Sequence, residues 1–288
     1  DSGTTDSKLP AMLVDEQGTV KENDALVFFN FREDSMRQIT KSFIEPEFEI
    51  FPIKRFQNLF VVGMTQYLED SKLNVAFSIP EIKNGLAEVL SLNGKTQFHI
   101  AETEKYAHVT YFFNCLNNEP YDGETDVFID SLKNHLENPA MRAPDIIDKV
   151  MEHVKADRYD FYVINLANAD VLSHMGNFEA TIKGVEAIDG QIGRLLDAVL
   201  EKDGTMLITA DHGNAESLLY QLTGERETKH NDNPIPFYLV SKQFEGPRSN
   251  ETPQINGLLA DVAPTILALM GIEKPEDMNG ESLLGQLT

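Results

Sequence analysis

Thr205-Met-Leu-Ile-Thr-Ala-Asp-His-Gly-Asn-Ala-Glu216 is a short apolar and β-branched run that ends in a carboxylate and an imidazole side by side. Asp203-Gly204 bounds it before and Gly213 after, so it reads as a buried parallel strand. Open α/β sheets bind ligands just outside the carboxyl ends of their strands, where Asp211 and His212 fall. Divalent cations such as Mn²⁺ and Zn²⁺ accept a carboxylate with an imidazole. Alone, an Asp-His pair is more often a solvated strand end than a site. Its weight depends on the chain around it.

Upstream, Phe178, Ile182, Val185, Ile188, Ile192, Leu195, Leu196 and Val199 mark one face of a long helix that stops at Asp203-Gly204. Before it, Phe161-Tyr-Val-Ile-Asn-Leu166 reads as a strand. Strand, loop, helix and strand in this order predict a parallel pair, 161–166 with 205–210, joined by a right-handed crossover. Ala143 to Ala156 carries Ile146, Ile147, Val150 and Val154 at helical spacing, with Pro144 placed for a first turn. Phe237-Tyr-Leu-Val240 is a further strand and Leu258 to Met270 a further helix. Toward the N-terminus, Glu81 to Leu92 reads as a helix, while Thr96 to Ala101 and His108 to Phe113 read as strands. Residues 119–143 read as a mostly irregular connection. The pattern changes near Ala76-Phe-Ser-Ile-Pro80, a hinge or linker by its proline. Asp24 to Phe31 (strand), Arg32 to Phe43 (helix) and Asn58 to Met64 (strand) precede it, too few pieces to close a domain. Residues 1–20 are polar and read as a loop or frayed end. The expected organisation is α/β, with residues 1–75 and 76–288 as separate parts.

With 288 residues, 41% of them hydrophobic and 25% charged, the chain can bury sizeable cores. A net charge of -23 argues against a nucleic-acid partner, which calls for a basic stripe. It leaves a phosphorylated substrate open, because a metal and a few local cations can dominate a site. The single cysteine, Cys115, suits a reducing, cytoplasmic compartment. No apolar stretch is long enough to cross a bilayer; the best, Leu258 to Ile272, is broken by Asp261 and Pro264.

If 161–166 lies parallel to 205–210, both carboxyl ends open on one side. The loop after the first strand holds Asp170 and His174, four apart and so on one face of a helical turn. His230 precedes the strand 237–240. The simplest assembly is one ion on Asp170, His174 and His230 beside a second on Asp211 and His212. Paired ions suit phosphoryl chemistry. His99, His135 and His153 lie in unremarkable contexts. Glycine-rich phosphate loops are absent; Lys105, between two apolar strands, and Arg32 are the cations that could meet phosphate.

Ala101-Glu-Thr-Glu-Lys-Tyr-Ala-His-Val-Thr110, Phe28-Phe-Asn-Phe-Arg32, Asp170 through Asn177, Ile208 through Glu216 and Leu259-Ala-Asp-Val-Ala-Pro-Thr265 together resemble cofactor-independent phosphoglycerate mutase, of the alkaline phosphatase superfamily. The similarity runs from about Asp24 to the C-terminus. The Asp-His-Gly motif is shared across the superfamily, whereas the segment 101–110 is more specific to the mutase. The resemblance implies an alkaline-phosphatase-like, largely parallel sheet with helices on both faces, plus part of a second α/β domain that holds substrate. It implies a glycolytic isomerase that interconverts 3-phosphoglycerate and 2-phosphoglycerate through a phosphoserine, with two Mn²⁺ ions (Mg²⁺, Co²⁺ or Zn²⁺ as substitutes). On matching positions Asp170, His174 and His230 would bind one metal and Asp211 and His212 the other. Lys105 would contact the transferring phosphoryl group and Arg32 the substrate.

Two departures qualify this. The family's nucleophilic serine and one metal-binding aspartate fall in a segment without counterpart here. Ser35 also stands where the family has a second arginine, with Arg37 the nearest cation. The expectation is a C-terminal portion of a mutase, or a shortened relative, inactive by itself. A phosphate-ester hydrolase of the same superfamily and a non-catalytic metal-binding subunit are the alternatives.

Overall fold

In a computed structural model, which describes residues 12–68, 71–78, 82–219, 224, 226–244 and 257–287, the chain divides into two compact units, Asp1–Glu81 and Ile82–Thr288. Ile79 and Pro80 of the expected hinge, Glu81 at the start of the expected helix, and the first eleven residues lie outside the described residues.

The first unit carries β1 (Ala25–Phe28), α1 (Glu33–Ile44), β2 (Phe60–Gly63) and β3 (Asn74–Val75), in a parallel sheet of order β1-β2-β3. Its small core gathers Phe28, Val61, Tyr67 and Leu73, with Met36 and Phe43 from α1 packed against them. Tyr67 is buried to its hydroxyl, which donates toward the carbonyls of Phe28 and Asn30 and accepts from the Met64 amide. A buried phenol is tolerated because its polar end is satisfied.

The second unit is built on β4 (Gln97–Glu102), buried along its whole length. It pairs in parallel with β5 (Glu124–Ile129) on one side and β6 (Phe161–Ile164) on the other. Alternate side chains of β4 enter two different layers. Phe98 and Ile100 join Ile146, Ile147, Val150 and Val154 of α4 (Ala143–Lys155) and Leu195 and Ala198 of α6 (Phe178–Glu201). On the other face Gln97 Nε2 donates to the carbonyl of Ala87 in α2 (Leu86–Leu92), which packs with Leu267 of α7 (Val262–Leu269). The sheet thus has helices on both faces.

Three local expectations are corrected. His108 to Phe113 is not a strand: a 3₁₀ turn at Thr103–Lys105 runs into α3 (Tyr106–Val109), and turns follow. The β-branched and aromatic run mimics a strand, and burial of Val109 against the sheet end decides otherwise. Residues 119–143 contain β5, concealed because Glu124 and Asp126 occupy its inward positions. Last, β7 (Met206–Thr209) pairs antiparallel with β8 (Phe237–Val240), while β6 pairs with β4. The long helix still carries the chain from β6 to β7, and Met206 packs on the same core as Phe98. The connection is kept, but no ladder joins the two strands.

Candidate metal centre

The segment after β6 is helical rather than a loop: α5 spans Asn168–His174. One turn of it stacks Asp170 under His174. Gly176 then takes φ +62, and a Cβ there would come within 3.2 Å of Arg226 and Thr228. The helix therefore stops just past His174, and the segment 226–228 can approach. That approach sets the imidazole. His174 Nδ1 is 2.7 Å from the Thr228 carbonyl, an acceptor, so Nδ1 carries the proton and Nε2 presents its lone pair.

His174 Nε2 lies 3.1 Å from Asp170 Oδ1, His230 Nε2 lies 3.2 Å from the same oxygen, and the two nitrogens are 2.9 Å apart. Donor atoms of a tetrahedral site with bonds of about 2.0–2.1 Å stand about 3.3 Å apart. One carboxylate oxygen and two imidazole nitrogens at these separations fit three corners of such a site. His212 joins the group: its Nε2 is 3.8 Å from Asp170 Oδ1, and its ring stacks on that of His230 with centroids 3.5 Å apart. Among the described residues Asp211 reaches only its neighbour, with Oδ2 3.5 Å from His212 Nε2, and its carboxylate is 61% exposed. Asp170, His174, His212 and His230 thus form one cluster, and Asp211 sits at its edge.

Asp170 is the hub. Its second oxygen, Oδ2, meets Lys105 Nζ at 2.6 Å. Lys105 is buried at the end of the turn that follows β4. Burial alone would raise the Asp170 carboxyl; Lys105 and the imidazoles outweigh it and hold the carboxyl below its ordinary value. His230 is held below its ordinary value, first by burial and then by His212. Both directions favour the forms that can bind a cation: carboxylate and neutral imidazole.

Several supporting residues went unassigned in the sequence. Asn214, buried, points its Nδ2 to Asp170 Oδ1 at 3.5 Å. Glu216 accepts from the Asn214 amide at 2.8 Å and from Asn233 Nδ2 at 2.7 Å, bridging the two loops that carry His212 and His230. Gly213 lets them close: a Cβ would fall 2.1 Å from Asn231 Oδ1 and 2.6 Å from Glu216 Oε1. The signal was present as Gly213-Asn-Ala-Glu216 and Asn231-Asp-Asn233, polar residues flanking each histidine. Arg32 belongs to the first unit, where it precedes α1, and Ser35 lies exposed within that helix.

Fold and donor set are those of an α/β protein with a candidate metal centre, and the chain belongs to the Metalloenzyme superfamily, which it matches over residues 11–274. Within that class it is similar to the 2,3-bisphosphoglycerate-independent phosphoglycerate mutase of Pseudomonas entomophila (strain L48), 42% identical over 282 residues that cover 97% of this chain and 54% of the relative. The enzyme of that name from Clostridioides difficile (strain 630) is 43% identical, over 93% of this chain and 52% of the relative. The chain spans about half the length of the curated relatives it matches. Among solved structures, Leishmania mexicana phosphoglycerate mutase at low cobalt concentration superposes with a TM-score of 0.75 and 29% identity, covering 93% of this chain and 52% of the other. A 2-O GAG sulfatase, at 15% identity and a TM-score of 0.50, shares the fold over 72% of this chain and 57% of the other. These neighbours agree with an alkaline-phosphatase-like sheet.

Proposed function

We propose that this chain supplies the metal-binding part of a phosphoglycerate mutase that interconverts 3-phosphoglycerate and 2-phosphoglycerate through a phosphoserine. The observation that carries the reading is the convergence of Asp170 Oδ1, His174 Nε2 and His230 Nε2 within 3.2 Å of one another. Asp170, His174 and His230 would hold one Mn²⁺, and Asp211 and His212 would contribute to a second. Bound divalent ions supply charge neutralisation for phosphoryl oxygens. Lys105, buried beside Asp170, would place its Nζ against the phosphoryl group, and Arg32 would hold the carboxylate or phosphate of the substrate with its planar fork. Thr228 and Asn214 keep the cluster in register. The nucleophilic serine belongs to the remainder of the family's length, so these 288 residues alone would not turn over substrate. Such an enzyme would work on a small metabolite in the cytoplasm.

Elemental analysis of the chain purified without chelator should find bound divalent metal, and His174→Ala should lose most of it. A coupled enolase assay with Mn²⁺ and 3-phosphoglycerate should read no turnover for the chain by itself, and turnover once the complementary half of a relative is supplied. Metal-free wild-type protein, or hydrolysis of p-nitrophenyl phosphate without isomerisation in the completed enzyme, would overturn the reading.

A further inference from the structure

A second set of donors lies on the other side of β4. The register sets His99 opposite Asp126 and Gln97 opposite Glu124, so His99, Glu124 and Asp126 project from one face of the β4–β5 ladder. His99 is fully buried. Its Nδ1 is 3.2 Å from Glu124 Oε1 and 3.6 Å from Asp126 Oδ1, yet among the described residues neither ring nitrogen finds a partner at proper hydrogen-bond geometry. Asp126 Oδ1 is likewise buried without a hydrogen-bond partner among the described residues. Leaving such groups unsatisfied in a core is costly, so a buried imidazole aimed at two carboxylates calls for something between them.

The surroundings are prepared for a cation. Asn114 Nδ2 at 2.6 Å and the Tyr121 amide at 2.9 Å donate to Glu124 and fix its carboxylate. Phe113 packs edge-on against the His99 ring, with centroids 5.2 Å apart and planes at 79°. Outer contacts of this kind orient ligands before an ion arrives. The separations of 3.2 and 3.6 Å bracket the edge of about 3.3 Å expected around a tetrahedral ion with N and O ligands.

We propose that His99, Glu124 and Asp126 form a separate binding site for a divalent cation of zinc-like size and geometry, one that ties β4 to β5. It shares no residue with the Asp170 cluster and does not rest on the mutase reading. Its role is to brace the central strand whose end carries Lys105.

The test uses the full chain with His174→Ala and His230→Ala, which removes the first cluster's nitrogen donors. After chelator treatment and dialysis against Zn²⁺ at neutral pH, this protein should retain zinc and unfold at higher temperature with the ion than without it. Adding Asp126→Asn, close in shape and at a position 14% exposed, should lower the zinc content by one equivalent and abolish that rise. Equal zinc content with and without Asp126→Asn, in protein shown to be folded by circular dichroism, overturns the proposal. Should Asp126→Asn fail to fold, zinc K-edge absorption of the His174→Ala/His230→Ala protein decides. One imidazole among oxygen ligands is expected; several imidazoles, or no bound zinc, overturn it.

Discussion

At the scale of single residues, the end of β4 concentrates carboxylates that the fold must manage. Glu102 is fully buried; one oxygen accepts from Ser131 at 2.9 Å and the other has no hydrogen-bond partner among the described residues. Burial raises its carboxyl above the ordinary 4.5, and Glu104 adds to the rise while Ser131 opposes it. A carboxyl that holds its proton more tightly when folded stabilises the fold fully below 4.5, and that stabilisation is lost as pH climbs through the raised value. Glu102→Gln stays neutral throughout. Its urea midpoint should therefore fall less than that of the wild type between acid and neutral pH. Parallel curves would mean that Glu102 titrates alike in the folded and unfolded states.

At the scale of elements, the candidate metal centre depends on how α5 lies on α6. Gly184 in α6 faces Leu172 in α5, and a Cβ at 184 would fall 2.4 Å from Leu172 Cδ1. Leu172 is fully buried among Met141, Ala167 and Ala180 and has nowhere to move. Alanine would gain about 1 kcal/mol of helix propensity over glycine. Overpacking costs about 1–3 kcal/mol, so Gly184→Ala should destabilise on balance. Because α5 carries Asp170 and His174, the variant should also weaken divalent-metal binding, measurable by calorimetric titration; unchanged affinity would uncouple helix packing from the site. The sequence announced these elements well where local chemistry is strong. Helix α6 has its apolar stripe and Asn177, which accepts from the Ala180 amide at 3.0 Å, and α4 has Pro144 in its first turn. Strand β5 escaped because Glu124 and Asp126 face inward, which no periodicity of apolar residues reveals. His99 looked unremarkable for a related reason: its carboxylate neighbours lie twenty-five and more residues away in the chain. Asp170 and His174 could be paired from spacing alone, whereas the place of His212 against His230 needed the loop contacts of Glu216.

At the scale of the whole molecule, the two units have separate cores: Phe28, Val61, Tyr67 and Leu73 in one, and the layers on either side of β4 in the other. Every residue of the Asp170 cluster, with Lys105, belongs to Ile82–Thr288. A protein comprising residues 82–288 should therefore fold cooperatively and bind divalent metal with the affinity of the full chain. Circular dichroism melts and metal titration of the two proteins would check this. A molten 82–288, or one with markedly weaker metal binding, would mean that the first unit stabilises the second.

The pairing of Lys105 with Asp170 Oδ2 sets the denticity of that carboxylate. With one oxygen taken by an ammonium, Asp170 can offer an ion only Oδ1. Large, oxygen-seeking cations such as Ca²⁺ draw on bidentate carboxylates to fill six to eight positions, and a monodentate aspartate flanked by imidazoles serves them poorly. Smaller ions content with nitrogen donors lose nothing. In a loaded centre the lysine would thus sort cations by size without touching them. Lys105→Met should free Oδ2 and raise the affinity for Ca²⁺ relative to Mn²⁺ in competition dialysis; an unchanged ratio would mean that the imidazoles alone choose the ion.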